Sequence, residues 1–359
     1  MPSFALLILS ASAELVAAEP QRGLPSPVQV PRLDYEDVTL AVEPDLSALR
    51  PAAFTAATAP QTGSAVPASP GRPDPAGVMA PSSRPQPWRI GKWTVLSGGK
   101  LMLTNAVTTV EGVSGGGVAS WATIAGREMD DGIGLSSHVT AIELPDFGWR
   151  SFGVALGLAN RVELSISRAD FDTRKVGAAL GLGQGYTLNQ ETYGAKVRLL
   201  GDLVYGPSWL PQVAIGIEHK RNRDGPVVAA LGAAHSSGTD FTLSATKLLL
   251  APSILANATM RYTKANQIGL LGFGSAAGSG YRIQFEGSVG YQLSRRAMLG
   301  AELRTKADNL GLGESNWVTA FAAYALNTHL TVTAAYVDLG TVATIKGQRG
   351  AFLSTQVAF

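Results

Sequence analysis

The most regular pattern in this chain is the alternation of apolar and polar side chains that begins near Gly99. Residues 281–293 show it most clearly, with aromatic or aliphatic residues at most odd positions and charged, amide or hydroxyl residues at most even positions. A period of two places the two sets on opposite faces of a β-strand. The same alternation occurs in residues 161–167, 212–220, 254–263 and 298–306.

The length and number of these segments predict an all-β fold, an antiparallel transmembrane β-barrel of about fourteen strands. Segments of roughly ten residues match a tilted membrane strand and exceed the usual strand of a soluble protein. Twelve strands remain an alternative, because the first two segments are the least regular. The predicted strands are 100–112, 118–125, 132–144, 148–158, 161–172, 191–204, 210–222, 239–250, 254–265, 280–293, 296–307, 315–326, 329–341 and 349–359.

Short and long connections are expected to alternate, as periplasmic turns and extracellular loops do in bacterial outer-membrane barrels. Counted back from a periplasmic C-terminus, the tight turns at 159–160, 251–253, 294–295 and 327–328 fall on the periplasmic side. The last segment alternates up to the terminal residue Phe359, which is predicted to act as a membrane-insertion signal for the barrel-assembly machinery.

Composition divides the chain into three predicted regions. Of its 20 Pro, 15 lie in residues 1–90, and of its 41 Gly, 37 lie in residues 91–359. Residues 1–18 are predicted to be a signal peptide for the secretory pathway, although Glu14 interrupts the apolar run and no basic residue precedes it. Residues 19–90 are predicted to be a disordered, Pro-rich periplasmic segment. Residues 91–359 are predicted to form the barrel, in the outer membrane of a Gram-negative bacterium.

Several sequence blocks resemble a family known as domain of unknown function 3034 from Gram-negative bacteria. The resemblance covers about residues 95–359 and implies an outer-membrane barrel, but it carries over no catalytic or binding residue. The blocks are 98–117 (GGKLMLTNAVTTVEGVSGGG), 171–183 (FDTRKVGAALGLG), 237–250 (SGTDFTLSATKLLL), 265–274 (ANQIGLLGFG) and 335–350 (AYVDLGTVATIKGQRG).

The polar face of the strands is expected to line the lumen, where mixed charges either pair with one another or border a wet passage. The loop at 171–186 is expected to fold inward as a constriction, and residues 226–234 to form a short helix with the same role. The predicted lumen-lining residues are Glu163, Lys196, Arg198, Glu218, Lys220, Arg261, Arg282, Glu286, Glu302 and Arg304.

Other kinds of chemistry find little support in the sequence. The chain contains no Cys and carries a formal net charge of +2, so neither thiolate chemistry nor a nucleic-acid partner is predicted. No metal or cofactor motif is visible. A hydrolase would need a nucleophile, a base and an orienting group, and only His138, which shares a strand face with Ser136, suggests such a site. The protein is therefore not predicted to be an enzyme, and a lipid hydrolase is the least favoured alternative.

The leading hypothesis is a passive channel or facilitator for small solutes. The main alternative is a structural or envelope-organising barrel with a periplasmic partner. Outer-membrane lipids and lipopolysaccharide are expected partners, because His219, Lys220, Arg221 and Arg223 cluster at an extracellular strand end and cationic side chains bind phosphate.

Overall fold

The computed structural model of the chain describes residues 88–95, 98–104, 107–179, 181–278 and 280–359. The predicted signal peptide and nearly all of the predicted Pro-rich segment lie outside the described residues. Four short strands come first: β1 (Trp88–Ile90), β2 (Trp93–Val95), β3 (Val107–Thr108) and β4 (Ser114–Gly115). No helix among the described residues has the length and apolar character needed to cross a bilayer.

Twelve long antiparallel strands form a closed barrel. Each pairs with its neighbours in sequence, and the last pairs with the first, with Phe352 opposite Ile142, so the twelve-stranded wall is closed. β2 also pairs in parallel with the start of β5. The strands are β5 (Gly132–Glu143), β6 (Gly148–Leu158), β7 (Val162–Asp172), β8 (Thr187–Leu200), β9 (Gln212–Asn222), β10 (Ser237–Leu249), β11 (Ile254–Thr263), β12 (Arg282–Gln292), β13 (Ala297–Arg304), β14 (Trp317–Ala325), β15 (Leu330–Asp338) and β16 (Arg349–Ala358).

The alternation along each strand separates an apolar outer face from a polar inner face. In β14 the residues at even positions are exposed on the outside, and those at odd positions from Trp317 to Ala325 are buried. The outer face carries exposed Val, Leu, Ile, Phe and Tyr side chains on nearly every strand. An apolar exterior on a closed sheet is the arrangement that hydrocarbon requires, since the strands of a closed sheet satisfy one another's backbone amides. The fold is thus a transmembrane β-barrel.

The barrel has twelve strands, the alternative that the sequence left open, because the first two predicted segments are not part of its wall. Residues 107–128 lie inside the lumen, and we call this segment the plug. Its β3–β4 hairpin closes with Thr109 N–H donating to the Val113 carbonyl at 2.9 Å, and nearly all of its residues are buried. The prediction of wall strands at 100–112 and 118–125 was wrong, since alternation over a few residues does not distinguish a strand that faces lipid from one enclosed on every side.

The two ends of the barrel differ in the length of their connections, with two exceptions to the predicted alternation. The β8–β9 connection, residues 201–211, is long although it lies on the same end as the C-terminus, and residues 144–147 form a tight turn at the opposite end. Leu144 N–H donates to the Phe147 carbonyl at 3.0 Å and closes that turn. The remaining long loops share the end of this tight turn, which is the extracellular end of an outer-membrane barrel.

The extracellular loops pack over the plug through an apolar layer that we call the cap. The cap contains Trp149, Phe171, Trp317 and Phe352 from the wall and also Val110 and Val118 from the plug. Two short helices, α1 (Arg174–Ala179) and α2 (Gly225–Ala230), lie in the loops above it, where Val176 and Val227 pack against the same layer. The helix predicted near residues 226–234 is present as α2.

Candidate functional site

The candidate site is the surface on which the plug meets the inner wall of the barrel. At its centre lies Glu111 of the plug, whose carboxylate contacts three cationic side chains from the wall. Lys220 Nζ of β9 donates to Oε1, Arg304 Nη1 of β13 donates to Oε2 at 2.6 Å, and Arg261 Nη2 of β11 lies 3.6 Å from Oε2. Burial acts to raise the pKa of the Glu111 carboxyl, but these cations hold that pKa below its usual range. Glu111 is therefore an anionic anchor for the plug.

Those cations also have carboxylate partners that belong to the wall itself. Arg261 donates to Glu218 at 2.9 Å and to Glu286 at 2.5 Å, while Lys220 donates to Asp240 at 2.6 Å. Acidic oxygens of Glu111, Glu218 and Asp240 lie within 4.8 Å of one another, a spacing compatible with a metal ion. Lys220 Nζ pairs with all three of these carboxylates, so the cluster is a network of ion pairs.

A second ion pair holds the middle of the plug from the side of β7 and β8. Glu163 and Lys196 lie 3.6 Å apart. The Glu163 carboxylate accepts hydrogen bonds from the Ser114 and Ala125 amides, at 3.0 and 2.7 Å, and Lys196 Nζ donates to the Ser114 carbonyl at 2.7 Å. A single wall pair thus satisfies main-chain groups on both arms of the plug, the stretches before and after its glycine turn at 115–117.

Glu302 of β13 binds the plug where its chain turns through three glycines. Its carboxylate accepts the Val118 amide at 3.0 Å and the Ser288 hydroxyl at 2.9 Å. A Cβ atom added at Gly116 would lie 1.7 Å from Glu302 Oε1. The absence of a side chain at Gly116 is therefore required for this close approach.

The stretch 120–122 of the plug is held by neutral and acidic wall side chains. Thr259 Oγ1 donates to the Ser120 carbonyl at 2.6 Å, and Glu286 accepts the Ser120 amide at 2.7 Å. Thr246 Oγ1 accepts the Ala122 amide at 2.8 Å, and Gln212 donates to the Ala122 carbonyl at 2.6 Å. Most of these contacts join a wall side chain to an amide or carbonyl of the plug. The wall therefore binds the backbone of the plug more than its side chains.

Glu128 marks the point where the plug leaves the lumen. Its carboxylate pairs with Lys100 at 3.2 Å, and its side chain is fully enclosed. Cβ atoms added at Gly126, Gly134 or Gly157 would all lie within 2.6 Å of a Glu128 carboxylate oxygen. Burial raises the pKa of Glu128 to about 7, although Lys100 acts in the opposite direction.

The structure places the ten sequence-predicted residues in two groups. Nine of them are buried inside the barrel: Glu163, Lys196, Arg198, Glu218, Lys220, Arg261, Glu286, Glu302 and Arg304. Arg282, at the extracellular end of β12, is exposed instead and joins none of these ion pairs. Arg198 lies apart from the Glu111 cluster and pairs with Asp130 at 3.2 Å.

Two acidic residues of the ion-pair network at the centre of the site were not predicted, Glu111 and Asp240. Glu111 lies in a segment that was expected to be a wall strand, and its partners come from strands more than 100 residues away. Asp240 follows the inward alternation of β10, so the same pattern that identified Glu218 would have identified it.

The predicted strand-end cluster divides between the two faces of the barrel. Lys220 points inward to Glu111, whereas His219, Arg221 and Arg223 are exposed on the outside. In the loop at 171–186, Val176 and Tyr186 pack against the cap, and the lumen below is filled by the plug. Phe359 stacks on His329 with ring centroids 4.9 Å apart, and its role in membrane insertion stays a prediction.

His138 lies inside the barrel, 3% exposed, and its Nε2 has no hydrogen-bond partner among the described residues. A Cβ at Gly112 of the plug would lie 3.7 Å from its Cε1 atom. A residue that is covered by the plug cannot meet a lipid in the membrane, so this geometry gives the hydrolase hypothesis no support.

Comparison with solved structures finds several barrels of low similarity. NanC porin aligns with 62% of this chain and 98% of its own, at 9% identity and a TM-score of 0.42. KdgM porin in complex with disordered oligogalacturonate aligns with 62% and 99%, at 9% identity and 0.40. Outer membrane phospholipase A from Escherichia coli aligns with 62% and 89%, at 12% identity and 0.36. These likenesses are too distant to carry a conclusion about function.

No curated protein matches the chain in sequence. A family model, described as protein of unknown function (DUF3034), matches residues 104–356. The match begins before the plug and ends within the last strand, so the unit that the family shares is the plug together with its barrel. The chain therefore belongs to the DUF3034 family of proteins of unknown function.

Proposed function

We propose that this protein is an outer-membrane channel for small polar solutes, closed in the described state by its own plug. The observation that carries the proposal is that the charged wall is paired without the plug. Arg261 retains Glu218 and Glu286, Lys220 retains Asp240, and Lys196 retains Glu163. Withdrawing the plug would leave a hydrated and largely neutralised polar lining, which is the lining of a water-filled passage.

The way in which the plug is bound also supports a channel that the plug can open. Most of its hydrogen bonds to the wall are made by its own amides and carbonyls, which water can satisfy equally well once the segment moves. The side-chain exceptions include Glu111, whose carboxylate binds Arg304 and Lys220, and Trp121, whose Nε1 donates to Ser288 Oγ at 2.9 Å. Apolar contacts of Val110, Val118 and Trp121 also hold the plug. None of these contacts belongs to the strand pairing of the wall, so the plug can leave without unfolding the barrel.

The main alternative remains a structural barrel that never opens and acts through a periplasmic partner. The apolar cap favours it, since Trp149, Trp317 and Phe171 pack closely above the plug. Both proposals make the protein a non-enzymatic barrel of the outer membrane, exported through the predicted signal peptide at residues 1–18. They differ in whether the plug moves.

A reversible cross-link between plug and wall tests this difference. A Cβ atom at Gly194 of β8 would lie 3.0 Å from Cγ1 of Val113 in the plug. The same Cβ would lie 2.3 Å from Ser165 Oγ, so the cross-link is made in a Ser165→Ala background. There the variant Val113→Cys/Gly194→Cys should form a disulfide across the interface, and the natural chain has no Cys that would interfere. The matched control is Thr140→Cys/Ser354→Cys, which joins β5 to β16 at side chains whose hydroxyls are 2.8 Å apart and leaves the plug free.

The measurement is single-channel conductance in a planar bilayer, before and after reduction. We expect openings in the wild type and in the oxidised control, no openings in the oxidised Val113/Gly194 pair, and their return on reduction. Equal conductance of the oxidised and reduced Val113/Gly194 pair would exclude the plug as the gate. A wild-type barrel that inserts but never opens would favour the structural alternative.

A further inference from the structure

The outer face of β9 to β12 changes from apolar to cationic within two rows of residues. The lower row consists of Ile217, Phe241, Tyr262 and Ile283, which are register partners on adjacent strands and are 42 to 54% exposed. Side chains of this kind on the outside of a barrel lie in the hydrocarbon of the membrane. The row therefore marks the depth at which the outer-leaflet hydrocarbon ends.

The next residues toward the extracellular end are polar and joined to one another. His219 and Thr239 are register partners with a 3.0 Å hydrogen bond between Nδ1 and Oγ1. The Tyr281 hydroxyl donates to the Thr239 carbonyl at 2.9 Å, and Lys264 Nζ lies 5.6 Å from the centre of the Tyr281 ring. Tyr281 in turn stacks on Tyr262 at 4.7 Å, which links the polar level to the apolar row.

Cationic side chains stand at or just above this level. Arg221, opposite Ser237 of β10 and Glu191 of β8 in the register, is exposed, and Arg223 follows it on the same face. Arg223 pairs with Glu191 at 3.4 Å. Among the described residues, no carboxylate lies within ion-pair distance of Arg221 or Lys264. We call Arg221, Arg223 and Lys264 the cationic patch.

Three other outward-facing cations at this end of the barrel have acidic partners, and a fourth, Arg150, lies opposite Asp170 in the register. Arg168 pairs with Asp170, Arg174 with Glu143, and Arg349 with Asp338. The patch on β9 to β12 thus has an excess of positive charge directly above an aromatic surface. Such a surface complements an amphiphile with apolar chains below and phosphate groups above.

We propose that the cationic patch binds the phosphate groups of lipid A, the membrane anchor of lipopolysaccharide, in the outer leaflet. The phosphate oxygens would accept hydrogen bonds from Arg221 and Lys264, and the acyl chains would lie along Phe241, Tyr262 and Ile283. The proposal is independent of whether the plug opens, because every residue of the patch lies outside the barrel.

The test is a titration of the detergent-solubilised protein with bisphosphorylated lipid A, followed by native mass spectrometry. A cation at a membrane surface contributes roughly fivefold to the affinity for an anionic lipid. The variant Arg221→Ser/Lys264→Ser should therefore bind lipid A roughly 25-fold more weakly than the wild type. Heat-modifiable mobility on a gel checks that each variant is folded.

The matched control is Arg349→Ser, which removes an outward cation that pairs with Asp338 at the same end of the barrel. Lipid A affinity should be unchanged in this control. Equal affinities in all three proteins would overturn the proposal, and so would an equal loss in the control. If the patch variant lost affinity for phosphatidylglycerol as strongly as for lipid A, the assignment to lipid A would be wrong.

Discussion

The Glu111 carboxylate lies 2.6 Å from Nη1 of Arg304, and this contact ties the plug to β13 across the lumen of the barrel. The same Arg304 nitrogen donates to the Val118 carbonyl at 3.1 Å, so one guanidinium holds both arms of the plug. Residues 193 positions apart in the chain thus meet at the centre of the barrel.

Replacing Glu111 should loosen the plug. In Glu111→Gln the charge that faces Lys220, Arg261 and Arg304 is lost, and removing one partner of a buried ion pair costs about 3 kcal/mol. We expect the free energy of unfolding in lipid vesicles to fall by that amount, and the plug to be cleaved faster by added protease. The control Glu191→Gln removes a carboxylate from a partly exposed pair with Arg223 and should cost less than about 1 kcal/mol. Equal losses in the two variants would contradict an anchoring role for Glu111.

Stability should depend on pH through Glu128. Its pKa is raised to about 7 in the folded protein from an ordinary value of 4.5, so the folded state holds this proton more tightly than the unfolded chain does. The free energy of unfolding should therefore decrease as pH rises from about 4.5 through about 7, by about 3 kcal/mol at most.

The variant Glu128→Gln should lack this decrease, because the amide does not titrate. Lys100 would still donate to the carbonyls of Ile124 and Gly126, at 2.8 and 3.2 Å. Urea unfolding at a series of pH values measures the effect, and Asp130→Asn, at a neighbouring exposed side chain, serves as the control. A wild type whose pH profile matches that of Glu128→Gln would show that this carboxyl is not responsible.

A methyl group at Gly116 should displace the plug from Glu302. In Gly116→Ala the new Cβ would lie 1.7 Å from Glu302 Oε1, so the carboxylate or the plug must move. Overpacking of this kind costs about 1 to 3 kcal/mol. Gly280→Ala is the control, since no atom of the part of the chain that the structure describes, apart from its chain neighbours, lies within 4 Å of a Cβ at that position. Thermal unfolding of the two variants measures the difference. Equal unfolding midpoints would mean that Glu302 does not closely approach the plug at Gly116.

Two tryptophans should respond very differently to truncation. Trp317 is 1% exposed in the cap, where it contacts Trp149 at 6.2 Å between ring centroids, whereas Trp209 is 78% exposed in the β8–β9 connection. Trp317→Ala should lower the free energy of unfolding by about 3 to 5 kcal/mol, and Trp209→Ala by less than about 0.5 kcal/mol. Chemical denaturation in vesicles measures both. Similar costs would show that the cap contributes little to the stability of the barrel.

Much of the wall was predictable because each membrane strand has one face in lipid. The predicted segments at 148–158 and 254–265 begin at the same residues as β6 (Gly148–Leu158) and β11 (Ile254–Thr263). The plug was not predictable in this way. Residues 100–112 alternate over too short a stretch, and small residues such as Gly115 to Gly117 are compatible with a turn in a wall or with a chain inside a lumen.

The candidate site was likewise predictable only in part. Alternation alone indicated that Glu218, Glu286 and Arg304 share the inner face of their strands. It could not indicate that Arg282, on that same face, would be exposed at the rim, because periodicity along a strand contains no information about its height in the barrel. Nor could it pair Glu111 with Lys220, since such a contact depends on how the sheet closes.

By itself, the sequence determined the strand pattern, the apolar exterior and the polar interior, because a period of two is a local property of the backbone. Only the tertiary structure decided that twelve strands close the wall, that residues 107–128 occupy the lumen, and that Glu111 meets three cations there. Those features depend on closure of the sheet, which brings together side chains that no local pattern relates.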